Sequence, residues 1–219
     1  MPAILRLSLV IPLLLALSGP ALASRKAPSA RDDALTTVMA GEFALQAGQL
    51  SEASRWYLEA ARDTEDAGLA ERATRIALLS NDDAGAAEAL KLWRARAPKS
   101  LAMRGAEATL ALRRGDARAA RRELDTLVKS PDEMGWRYAL TALGSGGKDP
   151  GLPAKLLGEL VDGNAIPAQL QAWLAFAGLA QQLEQPELSS RIVGRVVERF
   201  PQEPRVVLSA LASSEARKA

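Results

Sequence analysis

Any chemistry in this chain has to come from carboxylates, lysine, tyrosine or serine, because its 219 residues include neither cysteine nor histidine. That removes thiol nucleophiles, disulfides, Cys or His metal sites, Ser-His triads and histidine acid–base catalysis together. The carboxylate pairs that remain are Asp32-Asp33, Glu65-Asp66 and Asp82-Asp83. Each stands at a turn or a helix start, where a carboxylate meets free backbone N–H groups and the positive end of the helix dipole. None has a partner acid in a closed pocket, so glycosidase-type chemistry is not expected. The run Gly144-Ser145-Gly146-Gly147-Lys148-Asp149-Pro150-Gly151 is rich in glycine, but Lys148 is not in a Walker arrangement and no strand precedes it. No catalytic residue, metal site or cofactor is expected, and the chain reads as a binding protein rather than an enzyme.

The arginines are the other chemically able group. Formal net charge is +2, and arginine is interleaved with Glu and Asp, so there is no continuous basic stripe and no nucleic-acid partner is expected. The densest cluster is Arg113, Arg114, Arg118, Arg121 and Arg122, diluted by Glu123 and Asp125. It reads as a solvated face, with an acidic partner or anionic membrane surface as the alternative.

Hydrophobic residues make up 48% and aromatics only 4%, so alanine and leucine carry the apolar surface and an all-helical protein follows. Residues 1–23 have the three parts of a secretory signal peptide: Arg6, the apolar run 7–17, and the small-x-small site Ala21-Leu22-Ala23. The run is short and Pro12 interrupts it, so no stable membrane span is expected after cleavage. No cysteine follows that could be acylated. Cleavage before Ser24 and a periplasmic location are the expectation. Residues 24–33 read as a flexible leader, with Asp32 or Asp33 capping the first helix.

The remaining residues, 34–219, alternate amphipathic segments with breakers. Residues 34–47, a turn at Gly48, and a helix capped by Ser51 form the first hairpin. Residues 69–79, the turn Asn81-Asp82-Asp83, and 84–95 form the second, which Pro98 closes. The third is 101–114, the turn Gly115-Asp116, and 117–129. A fourth is degenerate: 134–143, the glycine-rich loop, then 153–161. The last begins at Pro167 and turns at Glu184-Gln185-Pro186. One more helix, 205–216, follows without a partner. Gly48 and Gly115 lie 67 positions apart, twice a period near 34.

At these residues the chain resembles the tetratricopeptide repeat (TPR) family. The first unit offers Gly41, Gly48, Ala53, Tyr57 and Ala60; the third Ala108, Gly115, Asp116 and Ala120. The second offers Ala77, Ala86 and Pro98, with Trp93 where Ala is usual, and the last Trp173, Ala177, Ala180 and Pro201. The resemblance implies an all-α, TPR-like solenoid of stacked antiparallel hairpins. It also implies a concave groove lined by the first helix of each unit.

Aligned that way, the groove candidates are Leu35, Val38, Met39, Glu42, Arg72, Arg75, Thr109 and Arg113, with Ala106 and, from the last unit, Gln171, Leu174, Gly178, Gln181 and Gln182. An extended peptide or a partner's helix would suit such a groove. The competing readings are that Arg72 and Arg75 pair with Glu71 or Glu88, and that the apolar residues of the first helix pack on the leader or on a second copy, which is self-association. Glu42 and Thr109 stand where chaperone-adaptor repeats carry Asn or Lys for a terminal carboxylate, so that ligand is not expected.

The stretch from Gly41 to Pro98 is most similar to envelope TPR proteins that serve as adaptors for carboxy-terminal processing proteases. It carries Glu42-Phe43-Ala44, Tyr57-Leu58-Glu59-Ala60-Ala61 and Ala70-Glu71-Arg72-Ala73. The resemblance implies a scaffold that binds protein partners in the cell envelope and recruits a protease. A structural component of a secretion or polysaccharide machine is the alternative, and an enzyme the remote one.

Overall fold

The structure, a computed structural model, describes residues 30–145 and 150–203. Among them are ten α-helices and no strand. They are α1 (Ala30–Gln46), α2 (Leu50–Arg62), α3 (Ala67–Leu79), α4 (Asp83–Arg96), α5 (Leu101–Arg113), α6 (Ala117–Val128), α7 (Met134–Ser145), α8 (Gly151–Asp162), α9 (Leu170–Gln182) and α10 (Pro186–Arg199). Every pair of helices in substantial contact lies one or two apart in this order. That is the contact pattern of an open stack, in which each unit touches only its neighbours.

Turn chemistry explains why the chain reverses where it does. Gly48 and Gly115 adopt φ of 73° and 71°, a left-handed conformation that costs glycine nothing. After each, the next N–H reaches back to close the helix end: Gln49 N–H donates to Ala44 O at 2.8 Å and Asp116 N–H to Ala111 O at 2.9 Å. Asn81 at φ 59° and Glu184 at φ 57° make the same turn without glycine. There Asp82 N–H donates to Ala77 O and Gln185 N–H to Ala180 O, both at 2.9 Å. The hairpin ending at Glu184 thus keeps the geometry that its sequence seemed to have lost.

Helix starts follow local carboxylate and hydroxyl caps. Asp66 accepts from Gly68 N–H at 2.7 Å, Asp82 from Gly85 N–H at 2.8 Å, Asp116 from Ala119 N–H at 2.9 Å, and Ser100 from Met103 N–H at 3.2 Å.

Several expected boundaries move. Helix α1 begins at Ala30, so the last residues of the expected leader are helical and Asp32 and Asp33 lie in the first turn rather than at the cap. Ser51 does not cap α2, because Ala53 N–H already bonds Gln49 O and the cap position falls on Gln49, two residues earlier. Helix α8 starts at Gly151, two residues before Pro153, and α9 starts at Leu170, three after Pro167. The signal peptide, the rest of the leader, Lys148 with its neighbouring glycines, and the helix expected over 205–216 lie outside the described residues.

Small residues set the distance between helices. Ala53, Ala60, Ala61, Ala70, Ala77, Ala86 and Ala120 are fully buried at the seams, where larger side chains would hold the axes apart. Trp93 is buried too, and fills space between α4 and the next unit rather than opening it. The apolar core divides along the stack, with one cluster around α1–α4, one around α2–α5, and a larger one from α5 to α10. The fourth unit belongs to that last cluster through Trp136, Leu157, Leu160 and Val161. Its two helices pack on each other far less than those of the other units, so it is the irregular member of the array.

Candidate functional site

A groove of about 370 Å³ runs across α3, α5 and α7, the first helices of the second, third and fourth units. Its walls are Leu78 and Leu79 from α3, Ala102 and Ala106 from α5, and Tyr138 and Thr141 from α7. Small residues leave it open. Gly105 forms part of its lining, and a Cβ there would lie 3.1 Å from Tyr138 Cβ, so glycine lets α5 and α7 approach. Leu79 is 69% exposed on this surface.

The structure brings Arg75, Thr109, Arg113 and Ala106 of the expected residues to this groove. Their roles there differ. Arg113 Nη1 donates to Leu78 O at 2.9 Å and to Asp83 Oδ1 at 3.2 Å, so its charge holds α5 to α3 and α4. Thr109 Oγ1 donates to Gly105 O at 3.0 Å within its own helix and presents little polarity to a ligand. Arg75 pairs with Glu71 at 2.6 Å, an i,i+4 contact, and keeps an exposed guanidinium at the groove. Such an exposed pair contributes about 0–1 kcal/mol and yields readily to a competing carboxylate.

Leu35, Val38, Met39, Glu42 and Arg72 do not line that groove. Val38 packs on the core of the first units. Glu42 accepts a hydrogen bond from the Tyr57 hydroxyl and pairs with Arg72 at 2.6 Å, while the Arg72 guanidinium sits 4.9 Å from the Tyr57 ring centre. This triad ties α1, α2 and α3 together. Burial, then the bond to Glu42, pushes the Tyr57 hydroxyl up to about 12, against the opposing pull of Arg72. The hydroxyl therefore stays protonated at neutral pH and acts as a fixed donor. Glu88, the other expected partner for these arginines, pairs instead with Arg62. Gln171, Leu174, Gly178, Gln181 and Gln182 form an exposed face of α9, separate from the groove.

Tyr138, Thr141 and Leu79 are groove residues that the sequence reading missed. Tyr138 and Thr141 are three apart on α7, the spacing of one helical face. The long glycine-rich run after that helix offers no single turn position, which left the helix out of the alignment.

The arginine cluster is mostly internal. Arg114 donates to Asp83 O at 2.7 Å, Arg121 pairs with Asp125 and Glu159, and Arg122 with Glu123. Among the described residues no group of carboxylates is placed to hold a metal ion, and no helix is long and apolar enough to cross a membrane.

No family model and no curated protein matches the chain. Among solved structures it is similar to the crystal structure of MamA protein, with a TM-score of 0.47 and 10% identity over 80% of this chain and 96% of that one. A likeness of that size transfers nothing about function. The fold stands on its own geometry: ordered hairpins, repeated left-handed turns and alanine seams. It is a TPR-like α-solenoid. In such an array the exposed first-helix surface is where a ligand meets several units at once.

Proposed function

We propose that this chain is an exported scaffold that binds an extended segment or a helix of a protein partner in the bacterial periplasm. The observation that carries the reading is the open, largely apolar groove shared by α3, α5 and α7, with Leu79 exposed on it and Arg75 at its side. An aliphatic side chain of the partner fits between Leu78 and Ala106, and an adjacent carboxylate exchanges with Glu71 for Arg75. The amino-terminal features of the sequence support export. The resemblance of the first two units to protease adaptors supports a protease as the recruited partner. A structural role within an envelope machine is the second reading, favoured by the exposed apolar face at the α1 end of the stack.

A photo-crosslinking residue placed at Thr141, inside the groove, tests the binding reading against one at Arg118, an exposed position outside it. The expected result in cells exporting the protein is a discrete adduct from position 141 alone, lost when Ala106→Trp fills the groove. Equal adducts at both positions, or none, would overturn it. Cell fractionation supplies the location, and retention in the cytoplasm contradicts export.

A further inference from the structure

Helix α1 carries an exposed apolar stripe that the groove does not use. Leu35, Met39 and Phe43, spaced four apart on one helix face, are 61%, 50% and 63% exposed. The repeat shows what the far end of this stripe is built for. Phe43 stands five residues before its left-handed turn residue, Gly48. Ile76, Leu110 and Leu179 stand five before Asn81, Gly115 and Glu184, and all three are buried. The first of these, Ile76, is covered by the preceding unit. Among the described residues no helix precedes α1, so Phe43 has the shape of a core residue without its cover. The other two positions are unusual in a second way. Where α1 has Leu35 and Met39, α3 has Gly68 and Arg72, and α5 has Ala102 and Ala106. The large apolar groups belong to this end of the stack alone.

We infer that the stripe is covered by residues 204–219 of a second copy of the chain, joining copies head to tail. Two properties of the sequence select this occupant. The first is charge. Residues 30–46 carry a net formal charge of −2 and residues 204–219 one of +2, whereas two copies of α1 would bring like charges together. The second is composition. Val206, Val207, Leu208 and Leu211 supply apolar side chains to meet Leu35, Met39 and Phe43, and Arg217-Lys218 supply positive charge beside them. A contact between unlike surfaces leaves one of each free on a pair, so copies add one after another into a ring or an open chain. This inference stands apart from the groove, since neither surface lies in it.

The absence of cysteine makes the test direct. Two single-cysteine forms of the full chain, Phe43→Cys and Val207→Cys, are mixed and oxidised. The expected product is the mixed disulfide dimer, in excess over both homodimers, diminished at high salt and lost when Leu211→Asp is added to the second chain. In parallel, the wild-type mass by light scattering rises with concentration past that of a dimer, and Met39→Ser with Phe43→Ser holds it at the monomer. Both serine substitutions fall on exposed positions, and circular dichroism checks that helix content is unchanged. A dominant Phe43→Cys homodimer, which would signal α1 against α1, overturns the inference. So does an absence of mixed dimer, or a wild-type mass that stays monomeric.

Discussion

Arg113 reaches back one unit and closes the end of α3, its Nη1 donating to Leu78 O at 2.9 Å. The same relation recurs along the array. Arg96 donates to Ala61 O at 2.6 Å, near the end of α2, and Arg195 donates to Val161 O near the end of α8. The last carbonyls of a helix have no partner within it, and a cation there also meets the negative end of the dipole. Arginine placed one repeat downstream supplies both, and at these three junctions joins a unit to the one before it.

These contacts make a graded prediction for stability. Arg96 is largely buried and contacts both Ala61 O and Asp66 O, so Arg96→Ala should lower unfolding free energy by about 1–3 kcal/mol. Arg118 is exposed and away from these ends, so Arg118→Ala should fall within about 0.5 kcal/mol of wild type. Urea titration followed by circular dichroism measures both, and equal effects would contradict the capping role.

Turn residues predict opposite signs at equivalent positions. Glu184 holds φ at 57° with a side chain that disfavours it, so Glu184→Gly should stabilise the protein by about 1 kcal/mol. Gly115 at φ 71° has open space around it, so Gly115→Ala should destabilise by about 1–2 kcal/mol through backbone strain alone. Thermal unfolding midpoints report the two shifts.

Helical glycines divide in the same way. A Cβ on Gly135 would lie 2.3 Å from Leu127 O and 2.7 Å from Ser130 Cβ, against backbone that cannot step aside. Gly135→Ala should cost about 1–3 kcal/mol, more than the roughly 1 kcal/mol of helix propensity it adds. Gly178 meets nothing within 4 Å, so Gly178→Ala should stabilise by about 0.5–1 kcal/mol. Denaturation of the two variants side by side checks the sign of each.

Tyr57 gives an alkaline signature. Its hydroxyl ordinarily ionises near 10.0 and here near 12, so over that interval the folded chain holds a proton the unfolded chain has lost. Its contribution is complete below pH 10.0 and declines as pH rises toward 12. Tyr57→Phe should lose about 1 kcal/mol near neutrality, with the gap to wild type narrowing on the alkaline side. Unfolding of the two proteins as a function of pH measures that narrowing, and a constant gap would contradict the assignment.

The hairpins were legible because their punctuation is chemical. Gly48, Gly115, Asp66, Asp82 and Asp116 each do locally what their residue type favours, and the elements between them formed as expected. Ser51 misled because a capping residue is recognised only by its place in the turn, and the bond from Ala53 N–H to Gln49 O moves that place by two residues. The groove was legible in part. Arg75, Thr109 and Arg113 follow from counting along first helices, but their hydrogen bonds depend on neighbours 4 to 35 positions away. Tyr138 and Thr141 were hidden because the fourth unit has several glycines between its helices, none of which singles out a register. Their place at the groove follows from how closely α7 packs on α5 across Gly105.

The groove depends most directly on the open order of the stack, since a closed bundle would have no groove across alternate helices. Gln46 on α1 and Gln182 on α9 are exposed and occupy equivalent positions, two residues before Gly48 and Glu184. Spin labels on Gln46→Cys and Gln182→Cys in the cysteine-free chain, diluted with unlabelled protein, give their separation by pulsed electron resonance. The stack predicts a separation well beyond the roughly 10 Å of directly packed helices. A distance equal to that between neighbouring helices would contradict it.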